Sequence, residues 1–328
     1  MRKILKCLSI SVLLITLLGL VKINVREKKL VNAEEIYYTN LNNVTITKTE
    51  FYKLKQLGFI EKEIENLTNE QLELIKEMNI ISMLDTDSNS RISTRSKEPN
   101  PDVSLYQYDR YYTLRGAYYE DYNGQEAYFV KVDLSYTFNP DQRMTDFLVI
   151  TMENNIMPMP TSETTINIFG TLSYNELIYE ESDDVNHYVE LETINHYYSY
   201  TGENISKYNY YPDSCVAMKF DLPSDKINSS REIVNNDSTY TIDNKSKYFD
   251  IYMSMYCYFV PETTNVINTS FTGAHIHQYM WFNAEWSGIT IIPQYPFIRS
   301  SLDISLANQV EIIHGSLFYS TNITYPNC

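Results

Sequence analysis

The most regular pattern in the chain is an alternation of apolar and polar side chains with a period of two. In "EAYFVKVDLSYTF", Tyr128, Val130, Val132, Leu134, Tyr136 and Phe138 fall on one side, and Lys131, Asp133, Ser135 and Thr137 on the other. Successive residues of a strand point to opposite faces, so this run predicts a strand with one buried face. "KYFDIYMSMYCYFV" repeats the pattern, with Phe249, Ile251, Met253, Met255, Cys257 and Phe259 opposed to Tyr248, Asp250, Tyr252, Ser254, Tyr256 and Tyr258. Further strand candidates cover 146–153, 165–173, 186–200, 214–221, 274–286, 288–293 and 310–319. Many strands, polar turns and no long helix between them predict a mainly β, antiparallel, sandwich-like domain over 105–328.

The period changes upstream. "TKTE" (Thr47 to Glu50) and "TNEQ" (Thr68 to Gln71) each set a threonine three residues before a Glu or Gln, the spacing of a capping box. Between them, in "LKQLGFIEKEIENL", Gly58 suits a left-handed helix end with Phe59 folding back onto the helix. Leu54, Leu57, Phe59, Ile60, Ile64, Leu67, Leu72 and Ile75 then share a small core, which predicts a three-helix unit within 34–83. Residues 84–104, polar and broken by Pro99 and Pro101, read as a linker. Their start places Asp85, Asp87 and Asn89 at calcium-loop positions 1, 3 and 5. Ser90 stands where the loop needs Gly, however, and Ser96 where it needs a bidentate carboxylate, so a solvated linker is the expectation.

The first residues, "MRKILKCLSISVLLITLLGLVK", join a basic start to a fifteen-residue apolar run over 7–21. A helix of that length spans roughly 22 Å, short of the ~30 Å hydrocarbon core. Residues 1–33 therefore read as an export signal cut after Ala33, with an uncleaved anchor as the rival. The expected location is extracellular, with no stable membrane span after cleavage.

The formal charge is −16. Residues 1–33 hold seven of the 26 basic side chains and one of the 42 acidic ones, so the remainder stands at −22. That balance disfavours phosphate backbones and anionic lipid as partners. Thirty tyrosines accompany 43% apolar residues, a composition that suits β structure. Without Cys7, three cysteines remain. Cys215 and Cys257 both lie in strand-like runs and are the expected disulfide, with two buried thiols as the alternative; Cys328 is the last residue.

Candidate chemistry is sparse. In "TGAHIHQYMWF", His275 and His277 share one face of a strand with Phe271, Gly273 and Tyr279, opposite Ala274, Ile276 and Met280. The second set is the better core face. The histidines are thus expected on the outer face, as ordinary cross-strand residues or, with a third ligand, as a zinc site. The chain has no G-x-S-x-G, HExxH, Walker or G-x-G-x-x-G motif, so no catalytic residue and no cofactor are predicted. "EESDDVNH" (Glu180 to His187) reads as a solvated turn. Tyr106, Tyr108, Tyr111 and Tyr118, with Trp281, are candidates for an aromatic face that stacks on neutral sugars. The stretch 288–320, with Ile298, Leu302, Ile304 and Leu306 alternating against polar residues, also suits a membrane-inserting hairpin.

Leu54, Leu57, Gly58, Phe59, Glu63, Ile64, Leu67 and Glu70 form an "LxxLGFxxxEI" segment followed by a T-x-E turn. With its apolar N-terminus and β-rich remainder, this layout resembles a group of exported proteins of Gram-positive bacteria. The resemblance covers about thirty residues and implies export and layout, with no activity to transfer. The expectation is a secreted, non-enzymatic binding or interaction module, for a cell-wall or host glycan or a cell-surface protein. A membrane-inserting toxin is the second reading, and a hydrolase with paired carboxylates the third.

Overall fold

The computed structural model describes residues 36–86, 110–121, 124–136, 143, 145–152, 156–160, 166–204, 208–211, 215–235, 238–262, 268–278, 290–294, 297–301 and 310–320. The expected export signal, 1–33, lies outside them. The strands β1 (Ile36–Thr39) and β2 (Thr45–Thr47) pair and lead into three short helices, α1 (Lys48–Gln56), α2 (Glu61–Glu65) and α3 (Asn69–Glu77). Then come β3 (Asn79–Met83), β4 (Asp85–Thr86), β5 (Arg110–Glu120), β6 (Glu126–Tyr136), β7 (Thr145–Met152) and β8 (Ile156–Pro158). The long strands β9 (Ile168–Ser182) and β10 (His187–Thr201) form a hairpin, followed by β11 (Tyr208–Tyr211) and β12 (Cys215–Asp221). A second hairpin joins β13 (Lys226–Asn235) to β14 (Ser238–Pro261). The last strands are β15 (Asn268–Gln278), β16 (Thr290–Gln294), β17 (Phe297–Ser301) and β18 (Val310–Ser320).

The protein is mainly β, and its sheets are antiparallel. One sheet runs β10-β9-β14-β6-β5-β3, with β13 and β8 also paired to β14; the other runs β11-β12-β7-β15-β18-β4. Val130, Val132 and Leu134 of β6 and Met253 and Met255 of β14 share one apolar core with Leu148 and Ile150 of β7, Val216 and Met218 of β12 and Phe271 of β15. Glycine permits the closest approaches. A Cβ on Gly170 would stand 1.9 Å from Met218 Sδ, and one on Gly273 would stand 2.6 Å from Leu114 Cδ1.

Both threonine caps form. Thr47 Oγ1 accepts from Glu50 N–H and Glu50 Oε2 accepts from Thr47 N–H, while Thr68 and Gln71 make the same exchange. Gly58 sits at φ +91° after α1, where Gly58 N–H donates to Lys55 O and Phe59 N–H to Leu54 O. These two bonds satisfy carbonyls that the helix end would otherwise leave open. The buried Asn40 ties the preceding loop to the helices: its Nδ2 donates to Ile64 O and Leu67 O, and its Oδ1 accepts from Asn42 and Val44.

The helices do not keep a core to themselves. Leu54, Leu57, Phe59, Ile64, Leu72 and Ile75 pack with Phe129, Phe169, Tyr256 and Tyr258 of the first sheet. This corrects the expectation of one buried face for β6 and β14. The predicted apolar face of β6 does line the inter-sheet core. Its other face lies under the helices, so that even Lys131 is fully buried. On β14 the alternation slips at a bulge between Phe249 and Tyr252, with Asp250 at φ +54°. Tyr248 rather than Phe249 therefore joins the core upstream of the bulge. At the head of the expected linker, Leu84 is buried, its N–H donates to Gly116 O, and Asp85–Thr86 pairs with β18. The rest of the calcium-loop candidate lies outside the described residues. Among the described residues, no helix is long and apolar enough to cross a membrane.

Candidate functional site

The outer face of the first sheet is only partly covered by the helices. Where their cover ends, beside the α1–α2 turn, a groove opens. A recess of about 460 Å³ is lined by Gly58, Ile60 and Lys62 of the helical unit, Tyr111, Thr113 and Arg115 of β5, and Asp133 and Ser135 of β6. Ser173 and Asn175 of β9 and Asp250 and Tyr252 of β14 complete it. A second recess of about 490 Å³ shares Gly58, Ile60, Lys62 and Arg115 and adds Lys55, Phe59 and Glu61. Both volumes fall within the ~300–1,000 Å³ usual for small-molecule sites.

The strand registers assemble this wall. Tyr111 lies opposite Ser135, Thr113 opposite Asp133, and Ser173 opposite Tyr252, so residues far apart in sequence meet on one face. Thr113 Oγ1 donates to Asp133 Oδ2 at 3.0 Å and Tyr252 OH to Asp133 Oδ1 at 2.7 Å. Asn175 Nδ2 donates to Asp250 Oδ2 at 2.9 Å. Two acceptors or donors remain open. Ser173 Oγ, on a residue 1% exposed, and Asn175 Oδ1 are buried without a hydrogen-bond partner among the described residues. Such groups cost stability unless something satisfies them. Tyr111, by contrast, is 67% exposed at the rim.

Beneath the groove lies an ionic cluster. Lys131 Nζ contacts the Asp133 carboxylate and Glu63 Oε2 (3.1 Å) and donates to Tyr252 OH (3.2 Å). Glu63 Oε1 accepts from Ser254 Oγ at 2.5 Å. Burial alone would depress the Lys131 ammonium, but the two carboxylates outweigh it and hold its pKa above the ordinary value. Burial raises Glu63, which shares that ammonium with Asp133.

The predicted histidine site turns out differently. His275 and His277 are fully buried, which corrects their placement on an outer face. Their side of β15 is the one that carries Phe271 and Gly273 and meets the first sheet. The opposite side, Ala274 and Ile276, is buried as well. Polar side chains are tolerated here because Asp146 of β7 receives both rings: His275 Nε2 lies 2.7 Å from Oδ2, and His277 Nδ1 2.7 Å from Oδ1. Tyr136 OH donates to Oδ2 at 2.5 Å. A carboxylate only accepts, so each facing ring nitrogen carries its proton and is spent as a metal ligand. Burial works against the Asp146 charge, but the two imidazoles prevail and hold its carboxyl well below the usual range. Among the described residues, no group of three His, Cys, Asp or Glu side chains is placed to hold a metal ion.

The cysteines are also a correction. Cys215 and Cys257 are separate buried thiols, not a disulfide. Cys257 faces the inter-sheet core, whereas Val216, Met218 and Phe220 take that side of β12 and parity turns Cys215 away. Burial pushes the Cys215 thiol up to about 12.

The aromatic candidates divide. Tyr111 lines the groove. Tyr118, of opposite parity on β5, is buried in the core, its ring 5.5 Å from that of Tyr128, and so leaves the proposed face. Tyr106, Tyr108 and Trp281 lie outside the described residues. The residues 183–186 of the charge run form an exposed turn. Sequence reasoning missed Lys62, Arg115, Ser173 and Asn175; the polar face of β6, already visible in the alternation, pointed to Asp133 and Ser135.

No family model matches the chain, and no curated protein matches it.

Proposed function

We propose that the protein is an exported, non-enzymatic binding module that holds a glycan in the groove beside α2, on a β-sandwich-like body with a three-helix unit. The observation that carries this reading is the Ser173 hydroxyl, buried at the groove wall on β9 without a partner among the described residues, with Tyr111 exposed at the rim on β5. An aromatic rim with hydroxyl, amide and carboxylate groups below it suits a ligand with one apolar face and many hydroxyls. Export rests on the basic and apolar start of the chain, and the acidity of the remainder fits an extracellular setting. The layout shared with exported Gram-positive proteins agrees with this.

The membrane-inserting reading has less support. Within its candidate stretch, 288–320, β16 and β17 pair as a short hairpin, and Leu302, Ile304 and Leu306 lie outside the described residues. The hydrolase reading requires a pair of carboxylates free to act, and in the groove Asp133 is engaged by Lys131, Thr113 and Tyr252 while Asp250 accepts from Asn175.

Co-sedimentation of the purified protein with peptidoglycan, a neutral polysaccharide and liposomes tests the proposal. Retention on a glycan, released by soluble sugar and lost in Tyr111→Ala, is the expected result. Retention on liposomes alone, with dye leakage, contradicts it.

A further inference from the structure

The two open groups of the groove stand on one strand. Ser173 and Asn175, two residues apart on β9, share the face that lines the recess. Their neighbours are already engaged. Tyr252, opposite Ser173 on β14, donates its hydroxyl to Asp133, and Tyr197, opposite it on β10, is bonded to Thr171 at 3.2 Å. Asn195, opposite Asn175, gives Oδ1 no hydrogen bond.

The two groups differ in what they ask for. A serine hydroxyl donates or accepts. Asn175 has no such choice, because Asp250 fixes its amide. Asn175 Nδ2 donates to Asp250 Oδ2 at 2.9 Å; a carboxylate only accepts, so a flipped amide would set oxygen against oxygen. Asp250 reaches that position through the bulge of β14 between Phe249 and Tyr252, where it takes φ +54°. A bulge re-aims the side chain it carries. The same carboxylate supports the charge of Lys62.

We infer that Asn175 is the specificity-determining residue of the groove and Asp250 its positioning residue. The wall requires a saccharide with free hydroxyls on neighbouring carbons, one donating to Asn175 Oδ1 and the next bonded to Ser173. This deepens the glycan reading and rests on it. An O-methyl group on the first hydroxyl removes the proton that Asn175 needs, and a carboxylate or phosphate there sets acceptor against acceptor. A site built around a hydroxyl rejects an analogue without it more strongly than an apolar pocket rejects a lost methylene.

The test is calorimetric titration of the purified protein with methyl glucoside, methyl galactoside and methyl mannoside, and with the mono-O-methyl ethers of each. The expected result is a bound hexoside that loses roughly tenfold or more in affinity when one particular hydroxyl is methylated. Asp250→Asn frees the Asn175 amide to turn, because an asparagine there both donates and accepts, and it tolerates positive φ. That variant should bind the parent hexoside about as tightly as wild type and bring the ether close to it. A merely structural role for Asp250 would weaken parent and ether alike. Asn175→Ala should also erase the difference, with weaker binding of the parent. Ethers that all bind like the parent, or a loss unchanged in Asp250→Asn, overturn the inference; hexoside binding that depends on Tyr111 then keeps the groove reading. Binding of no hexoside overturns it as well, and glycan retention that does not depend on Tyr111 ends the groove reading with it.

Discussion

Glu63 on α2 and Lys131 on β6 form an ion pair at 3.1 Å, with side-chain exposures of only 3% and 0%. The same carboxylate accepts from Ser254, 191 residues away in sequence. A helix of five residues is thereby fixed to the middle of a sheet, and the position of the groove follows from it. Removing one partner of a buried pair leaves an uncompensated charge. Lys131→Met is expected to destabilise the protein by about 3–5 kcal/mol. Urea denaturation measures the loss, and limited proteolysis should show early cleavage within 36–86.

Asp146 gives acid sensitivity. Its folded carboxyl titrates below the ordinary value because His277 and His275 surround it. A group with a depressed folded pKa stabilises above its unfolded pKa of about 3.9, and that contribution is lost as pH falls below it. Stability measured in urea should therefore fall steeply below about pH 4. Asp146→Asn should flatten that limb and lower stability at neutral pH. An unchanged acid limb in the variant contradicts the assignment.

Gly58 and Gly124 separate two costs. Both have positive φ, +91° and +76°, but a Cβ on Gly58 meets Arg115 whereas one on Gly124 meets nothing within 4 Å. Gly124→Ala is expected to cost about 1–2 kcal/mol from the left-handed backbone alone. Gly58→Ala should cost more and also displace Arg115. Thermal denaturation of the two variants side by side checks the order.

Cys215 and Cys257 should resist alkylation in the folded protein and react in denaturant without any reductant, as peptide mapping would show. Modification only after reduction would mean that they are paired. Their burial, together with the rise of both thiol pKa values, accounts for the native inertness.

The alternation of apolar residues made the strands legible: 146–153, 214–221 and 310–319 lie within a residue or two of β7, β12 and β18. The caps at Thr47 and Thr68 and the turn at Gly58 were equally readable, because they depend on neighbours in sequence. What did not follow from local pattern was which face is covered. Lys131 looked like a solvent-facing residue until α2 brought Glu63 over it, and His275 looked outward until Asp146 met it from another strand. Tyr111 and Tyr118 could have been assigned to opposite faces by parity once they shared a strand. Ser173 had no sequence signal, since only the register with Tyr252 places it in the groove.

The central claim, that the groove is a ligand site, is tested most directly at Ser173. A buried hydroxyl without a partner contributes little to folding, and its removal can be neutral or stabilising. Calorimetric titration of wild type and Ser173→Ala with the glycan that retains the protein, alongside their melting temperatures, is the measurement. The account predicts an unchanged or higher melting temperature and a Kd weakened roughly fivefold, the worth of about 1 kcal/mol. A lower melting temperature with unchanged affinity would contradict it.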